Sequence, residues 1–211
     1  MQPNNIVFPH VMKTSGTSII VWIQRHFYIK EILFEASVWP ELLQLNPESF
    51  KNKKFVRGHF GSGILNIFGE HNGITPITLL RDAVQRLISH YWHIKNASDA
   101  QSSLAFVKED SFTLDDFLEH SEAHHIVSNY QTANFSASIG STQALVVEPQ
   151  ITPELSQLNI ESAKLFLDRC EVVGVDENLN AFIKALSDRF GFFPDFALQQ
   201  QGCLVVSQNQ F

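Results

Sequence analysis

The sequence is poor in cysteine, and its basic residues are outnumbered by acidic ones. The two cysteines, Cys170 and Cys203, fall at no metal-ligand spacing and supply no disulfide framework, which fits a reducing compartment. Lys and Arg total 15 against 22 Asp and Glu, for a net charge of −7. The surface as a whole therefore repels nucleic acid and heavily sulfated polymers. No run of about 18 apolar residues is present, so no membrane span is expected. The opening MQPNNIVFPH lacks a basic segment leading into an apolar stretch and does not read as a secretory signal. Taken together, these absences predict a cytoplasmic location. Repeats and heptads are missing as well, which excludes solenoids and coiled coils.

What is there is a globular composition, 44% apolar and 18% charged over 211 residues. That length suits one domain, 1–211, with a full core. The 18 phenylalanines predict an aromatic-rich core or pocket wall. Phe60, Phe68, Phe106 and Phe135 are cleft candidates, although core placement is the ordinary fate of such side chains.

The apolar NIVFPHVM predicts a buried strand, with Pro9 an awkward member because it cannot donate to a ladder. SIIVWIQRHFY predicts a helix with Ser18 near its start. KKFVRGHF reads as a strand ending at Gly58, and GITPITLLRD as a strand running into charge. AVQRLISHYWHIKN follows as a helix with Val84, Leu87, Ile88 and Tyr91 on one face. Residues 98–111 read as a loop, and SFTLDDFLEH as a helix with Thr113 and Asp116 at capping-box spacing. SNYQTANFSASIGSTQ reads as irregular. TPELSQLNIESAKLFLDR predicts a helix with Thr152 as N-cap and Pro153 at its first position. CEVVGV is a strand, and DENLNAFIKALSDRFG a helix capped by Asp176 and closed by Gly191. Strands alternating with helices predict an α/β fold, a central mostly parallel sheet flanked by helices in three layers.

Three segments carry chemistry. In the first, KTSGTS, a strand delivers Lys13, Thr14, Ser15, Gly16, Thr17 and Ser18 to a helix start. Backbone N–H groups there cradle a phosphate, hydroxyls add donors and Lys13 adds charge. The plain alternative is a hydroxyl-rich cap beside an exposed lysine. The lysine precedes the glycine, unlike the G-x-x-x-x-G-K-[ST] loop of nucleotide triphosphatases. In the second, RDAVQRLISHY, Arg81 stands at a strand end, where it can clamp a phosphate. Ser89 follows about two helical turns on. The alternatives are an Arg81–Asp82 pair and a solvated serine. In the third, RGHFGSG, His59 follows a glycine at a strand end, where α/β sheets place ligands. Its ordinary pKa suits a general base, though most of the nine histidines will be structural or solvated.

In this order the segments resemble the sulfotransferases that use 3′-phosphoadenosine 5′-phosphosulfate (PAPS), especially the carbohydrate O-sulfotransferase branch and its bacterial relatives. KTSGTS is similar to that family's K-T-[GA]-G-T-[ST], RGHFGSG to its G-H-F segment, and RDAVQRLISHY to its R-D-P-x-x-R-x-x-S-H-Y. NYQTANF resembles an N-x-Q-T segment, and VVGVDENLNAFIKAL a V-G-x-x-E strand and helix. The likeness runs from about residue 5 to about residue 192. It implies a P-loop-like fold and in-line transfer of a sulfuryl group to a hydroxyl of a carbohydrate or small alcohol, leaving adenosine 3′,5′-bisphosphate (PAP). It also implies that Lys13 through Ser18 hold the 5′-phosphosulfate and that Arg81 and Ser89 hold the 3′-phosphate. His59 would be the base, and Lys13 would neutralise charge on the leaving phosphate, with no metal required. Departures are Met12 in place of proline, Ser15 in place of glycine or alanine, and Ala83 in place of proline. A polar tail from about 192 stands where the family continues into a further helix.

Rival readings are weaker on the residues. A nucleotide triphosphatase lacks its G-K-[ST]. His120, His124 and His125, like His90 and His93, do not form H-E-x-x-H, and a helical surface accounts for them. A relative that binds PAP or PAPS without turnover is the rival from another class, motivated by the short tail and opposed by the joint presence of Lys13, His59, Arg81 and Ser89.

Overall fold

The computed structural model describes residues 5–50, 52–68, 73–97, 104–136 and 157–193. Four parallel strands form its centre: β1 (Asn5–Pro9), β2 (Phe55–Gly58), β3 (Ile74–Leu80) and β4 (Val172–Val175). They lie in the order β2-β1-β3-β4. Nine α-helices are described: α1 (Gly16–Gln24), α2 (Trp39–Gln44), α3 (Ile64–Phe68), α4 (Ala83–Asn96), α5 (Leu114–Glu119), α6 (His124–Val127), α7 (Tyr130–Phe135), α8 (Gln157–Arg169) and α9 (Leu179–Phe190). The fold is α/β, with the all-parallel sheet flanked by helices.

Period-two alternation within strands sorts side chains to two faces. Ile6, Phe8, Phe55, Ile77 and Leu79 pack on Ile19, Trp22 and Ile23 of α1 and on Phe182, Ile183 and Leu186 of α9. Val7 and Val56 face the other way, against Leu33, Leu42, Phe60 and Ile64. Phe135 and Phe166 stack at 4.8 Å, joining α7 to α8 beside Val11. Phe60 and Phe135 are thus core, and Phe106 packs at the edge of a separate cluster around Phe117. Phe192 is core too, stacked on His26 at 4.3 Å, so the ordered body reaches past the end of α9.

Pro9 fits for a reason that the ladder supplies. Ile6 N–H donates to Lys54 O and His10 N–H to Gly58 O, so even-numbered amides of β1 point at β2. Odd-numbered ones face β3, where pairing ends at Val7 and Pro76. The missing N–H of Pro9 therefore falls where β1 and β3 have already parted. The Thr78 hydroxyl donates to Pro9 O across the opening at 3.0 Å.

Several expectations need correction. The first helix runs from Gly16 to Gln24, stopping short of the expected Tyr28, with Ser18 in its first turn and Ser15 as a left-handed N-cap. On α4, Val84 is 60% exposed, while Arg86 and His90 are buried alongside Tyr91 and Ile94. The buried stripe is turned by these two polar residues, which find partners inside. Residues 130–135 are helical, not irregular, because Asn129 at φ 50° supplies a left-handed turn into α7. His120 and His124 do not share a helix, since α5 ends at Glu119 and a 3₁₀ turn intervenes. The last helix starts at Leu179, with Asp176 in a 3₁₀ turn before it. The Thr113–Asp116 capping box and the left-handed Gly191 cap stand where expected. Thr152, Pro153 and the tail from 194 lie outside the described residues.

Phe8 is fully buried in a central strand, so Phe8→Ala is expected to cost about 3–5 kcal/mol in chemical denaturation. Val84→Ala, on the stripe that periodicity alone assigns to the core, is expected to stay within about 0.5 kcal/mol.

Candidate functional site

The carboxyl ends of β1, β2 and β3 meet at one edge of the sheet. Chain order reverses there, since β2 lies on one side of β1 and β3 on the other. That is the crevice where open α/β sheets bind ligands.

The loop after β1 makes two left-handed turns at non-glycine residues, Lys13 (φ 69°) and Ser15 (φ 53°). Such a backbone gathers N–H groups into a concave nest. The amides of Ser15, Gly16 and Thr17 donate to no acceptor among the described residues, whereas Ser18 N–H returns to Ser15 O at 3.1 Å. Thr14 is fully buried and spends its hydroxyl on Val11 O at 2.9 Å. It braces the loop from within, while Thr17 is exposed and Ser18 half-buried. Gly16 lies hard against the His10 ring: a Cβ there would sit 2.3 Å from Nδ1.

His59 leaves β2 beside that ring, with centroids 4.1 Å apart. Its Nδ1 lies 3.1 Å from His10 O. A carbonyl only accepts, so Nδ1 carries the hydrogen and Nε2 keeps its lone pair. The His59 amide is held by Ser37 O at 2.8 Å. Burial, followed by the Arg57 charge, outweighs the His10 hydrogen bond and pushes the His59 pKa below its ordinary value. Burial and the neighbouring His59 push His10 down to about 3. His10 is a residue that sequence reasoning missed; its signal was its place directly after the strand that feeds the loop.

Arg81 leaves β3 on the other side of the loop. Its Nη1 donates to Lys13 O at 3.2 Å, tying the two segments together. Gln131 of α7 clasps the Arg81 backbone, accepting from its N–H at 3.0 Å and donating to its carbonyl at 2.7 Å. The Arg81 counter-charge is Asp176, with Nε 3.2 Å from Oδ2, close enough for an ion pair though not aligned as a hydrogen bond. Asp82 instead caps α4 by accepting from Gln85 N–H at 2.9 Å. The NYQTANF helix also closes over RGHFGSG. Ser62 N–H donates to Asn134 O at 3.0 Å, and a Cβ on left-handed Gly61 would meet that oxygen at 2.3 Å.

Ser89 is half-buried on α4, between buried Arg86 and His90. Arg86 lies under the Tyr130 ring at 4.5 Å, donates to Ile126 O at 2.5 Å, and has Nη1 3.3 Å from His90 Nδ1. Burial, then the Arg86 and Lys13 charges, push His90 down to about 3. His93 is lowered by burial and by Lys13. The Lys13 charge thus acts on the two α4 histidines, while His59 stands beside His10. Lys13 through Ser18, His59 and Arg81 converge on one edge; Ser89 sits further along α4. Among the described residues no cluster of His, Cys, Asp and Glu is placed to hold a metal ion, and no helix is long and apolar enough to cross a membrane.

No family model matches the sequence, and no curated protein matches it closely enough to assign a family.

The two deeply lowered histidines make a prediction about stability. Unfolded, each titrates near 6.5; folded, His10 and His90 titrate at about 3. Below 6.5 the unfolded chain binds protons that the folded one does not, so stability is full above 6.5 and falls as pH drops toward 3. Each group contributes a slope of up to about 1.4 kcal/mol per pH unit. Thermal unfolding followed from pH 7 to pH 4 should show this decline, and His90→Gln should flatten it.

Proposed function

We propose that this protein is a sulfotransferase with a P-loop-like fold, moving the sulfuryl group of PAPS to a hydroxyl of a carbohydrate or small alcohol. One observation carries the reading: an anion nest, a histidine with an oriented lone pair and an arginine bonded to the nest share a single sheet edge. A loop with its lysine ahead of the glycine supports a phosphosulfate donor over a triphosphate, because no β- and γ-phosphates need spanning.

The residues fit a nucleotide bearing two phosphate positions. Lys13 through Ser18 would hold the 5′ end through the free amides of residues 15–17 and the exposed Thr17. Arg81 would reach the 3′-phosphate, with Ser89 as a second donor from α4. The donor supplies an activated sulfur–oxygen bond; positioning and charge are left to the protein, as in phosphoryl transfer. His59 Nε2 accepts the proton of the acceptor hydroxyl as that oxygen bonds to sulfur. The old sulfur–oxygen bond breaks with its electron pair left on the phosphate, where Lys13 and the loop amides offset the charge. The lowered pKa of His59 keeps its base form dominant at neutral pH.

The Arg81–Asp176 ion pair favours a second reading, a protein that binds the nucleotide without turnover, because it partly offsets the charge offered to a 3′-phosphate. Radiolabelled PAPS with a panel of hydroxyl acceptors separates the two. Turnover is expected, with Lys13→Ala and His59→Ala each lowering kcat by about a hundredfold or more. PAP binding without turnover on any acceptor would favour the second reading, and no binding of PAP would defeat both.

Arg81→Ala is expected to weaken PAP by about tenfold or more, the worth of a charge-assisted hydrogen bond, and to leave adenosine 5′-monophosphate nearly unchanged. Equal losses for the two nucleotides in calorimetric titration would remove Arg81 from the 3′-phosphate.

A further inference from the structure

Beside His59 lies a cleft of about 360 Å³, within the usual range for a small-molecule site. Thr17 stands at its loop end, and Ile20, Val21 and Gln24 of α1 carry its wall about 10 Å away from the loop. Phe34, 47% exposed, and Arg57 close the opposite side. A donor seated on the loop leaves this length of α1 to the acceptor.

Arg57 is an unusual wall residue. It precedes His59 by two positions along an extended strand, so the two side chains leave on the same face. Its guanidinium is half-buried, its Nε is buried without a partner, and it makes no hydrogen bond or ion pair among the described residues. The Phe34 ring lies 5.7 Å from its Cζ. Glu41, the acid that acts on it, has Oε2 committed to Ser37 N–H at 2.6 Å, Ser37 Oγ at 3.1 Å and Val38 N–H at 3.3 Å. Burial lowers the Arg57 pKa, the sign of a cation held where water does not fully serve it. Half-buried guanidinium groups are ordinarily paired. No Asp or Glu lines the cleft, and both histidines there are held neutral by burial.

We propose that the acceptor carries a carboxylate close to the hydroxyl it presents to His59, and that the Arg57 guanidinium selects it while Phe34 covers the acceptor's apolar face. This specificity rests on the sulfuryl-transfer reading. One cation whose nearest acid, Glu41, is bonded to Ser37 and Val38 instead matches a single negative charge rather than a polyanion, and a planar carboxylate suits the guanidinium fork.

The test uses matched acceptors differing only in the acid: methyl β-D-glucuronide against methyl β-D-glucoside, and mandelate against mandelamide. Each is measured for turnover with PAPS and for direct binding by calorimetric titration in the presence of PAP. Wild type is expected to favour the acids by about tenfold to a hundredfold. Arg57→Gln should erase the preference and leave PAP affinity unchanged, and Arg57→Lys should keep part of it. Thermal unfolding checks that both variants are folded. Equal use of acid and neutral acceptors by wild type, or a preference that survives Arg57→Gln, overturns the proposal. So does a parallel loss of PAP affinity in Arg57→Gln, which would give Arg57 to the donor. Arg57-dependent binding of the acids without PAP binding or turnover would instead leave the carboxylate site standing and bring down the sulfuryl-transfer reading alone.

Discussion

The parting of β1 and β3 beyond the Val7–Pro76 pair is the constraint on which the rest depends. Two adjacent parallel strands that stay paired to their ends leave no room for a ligand or for the loops that bind one. Here a proline that cannot donate ends one strand, and a threonine hydroxyl, not a backbone amide, bridges the gap to it. Everything chemical hangs on the rim of that opening. The nest follows β1, His59 follows β2 and Arg81 follows β3.

Around the opening the protein uses backbone more than side chains. His59 is oriented by one carbonyl and anchored by another, Arg81 holds a carbonyl of the loop, and Gln131 grips the Arg81 peptide from both sides. Backbone partners cannot change rotamer or protonation state, so geometry set this way persists across pH. The histidines stay neutral for a related reason: burial costs the charged form more than nearby carbonyls return.

Much of this was legible in the residues because it depends on short-range rules. Apolar runs gave the strands, Thr113 and Asp116 a helix start, Gly191 a helix end, and the strand–small-residue–helix pattern the nest. What was hidden depends on contacts between distant segments. Periodicity put Val84 in the core, but Arg86 and His90 hold that position through Ile126 and Tyr130, from residues some forty positions away. NYQTANF is polar and reads as loop, yet it is a helix because Gln131 and Asn134 find partners on the two neighbouring motifs. Arg57 reads as an ordinary strand residue until Glu41 is seen to be engaged elsewhere. The pairing of Arg81 with Asp176 joins positions that no local rule connects.

The left-handed turn at Lys13 sets two demands against each other at one position. A backbone at φ 69° prefers glycine, and any other residue holds it at a cost of about 1 kcal/mol or more. Glycine at that point would relax the chain and delete the ammonium in the same stroke. Ser15, at φ 53°, poses only the first half of the problem, since glycine there would remove strain and little else. The loop therefore separates a residue whose strain is inseparable from its charge from one whose strain is not.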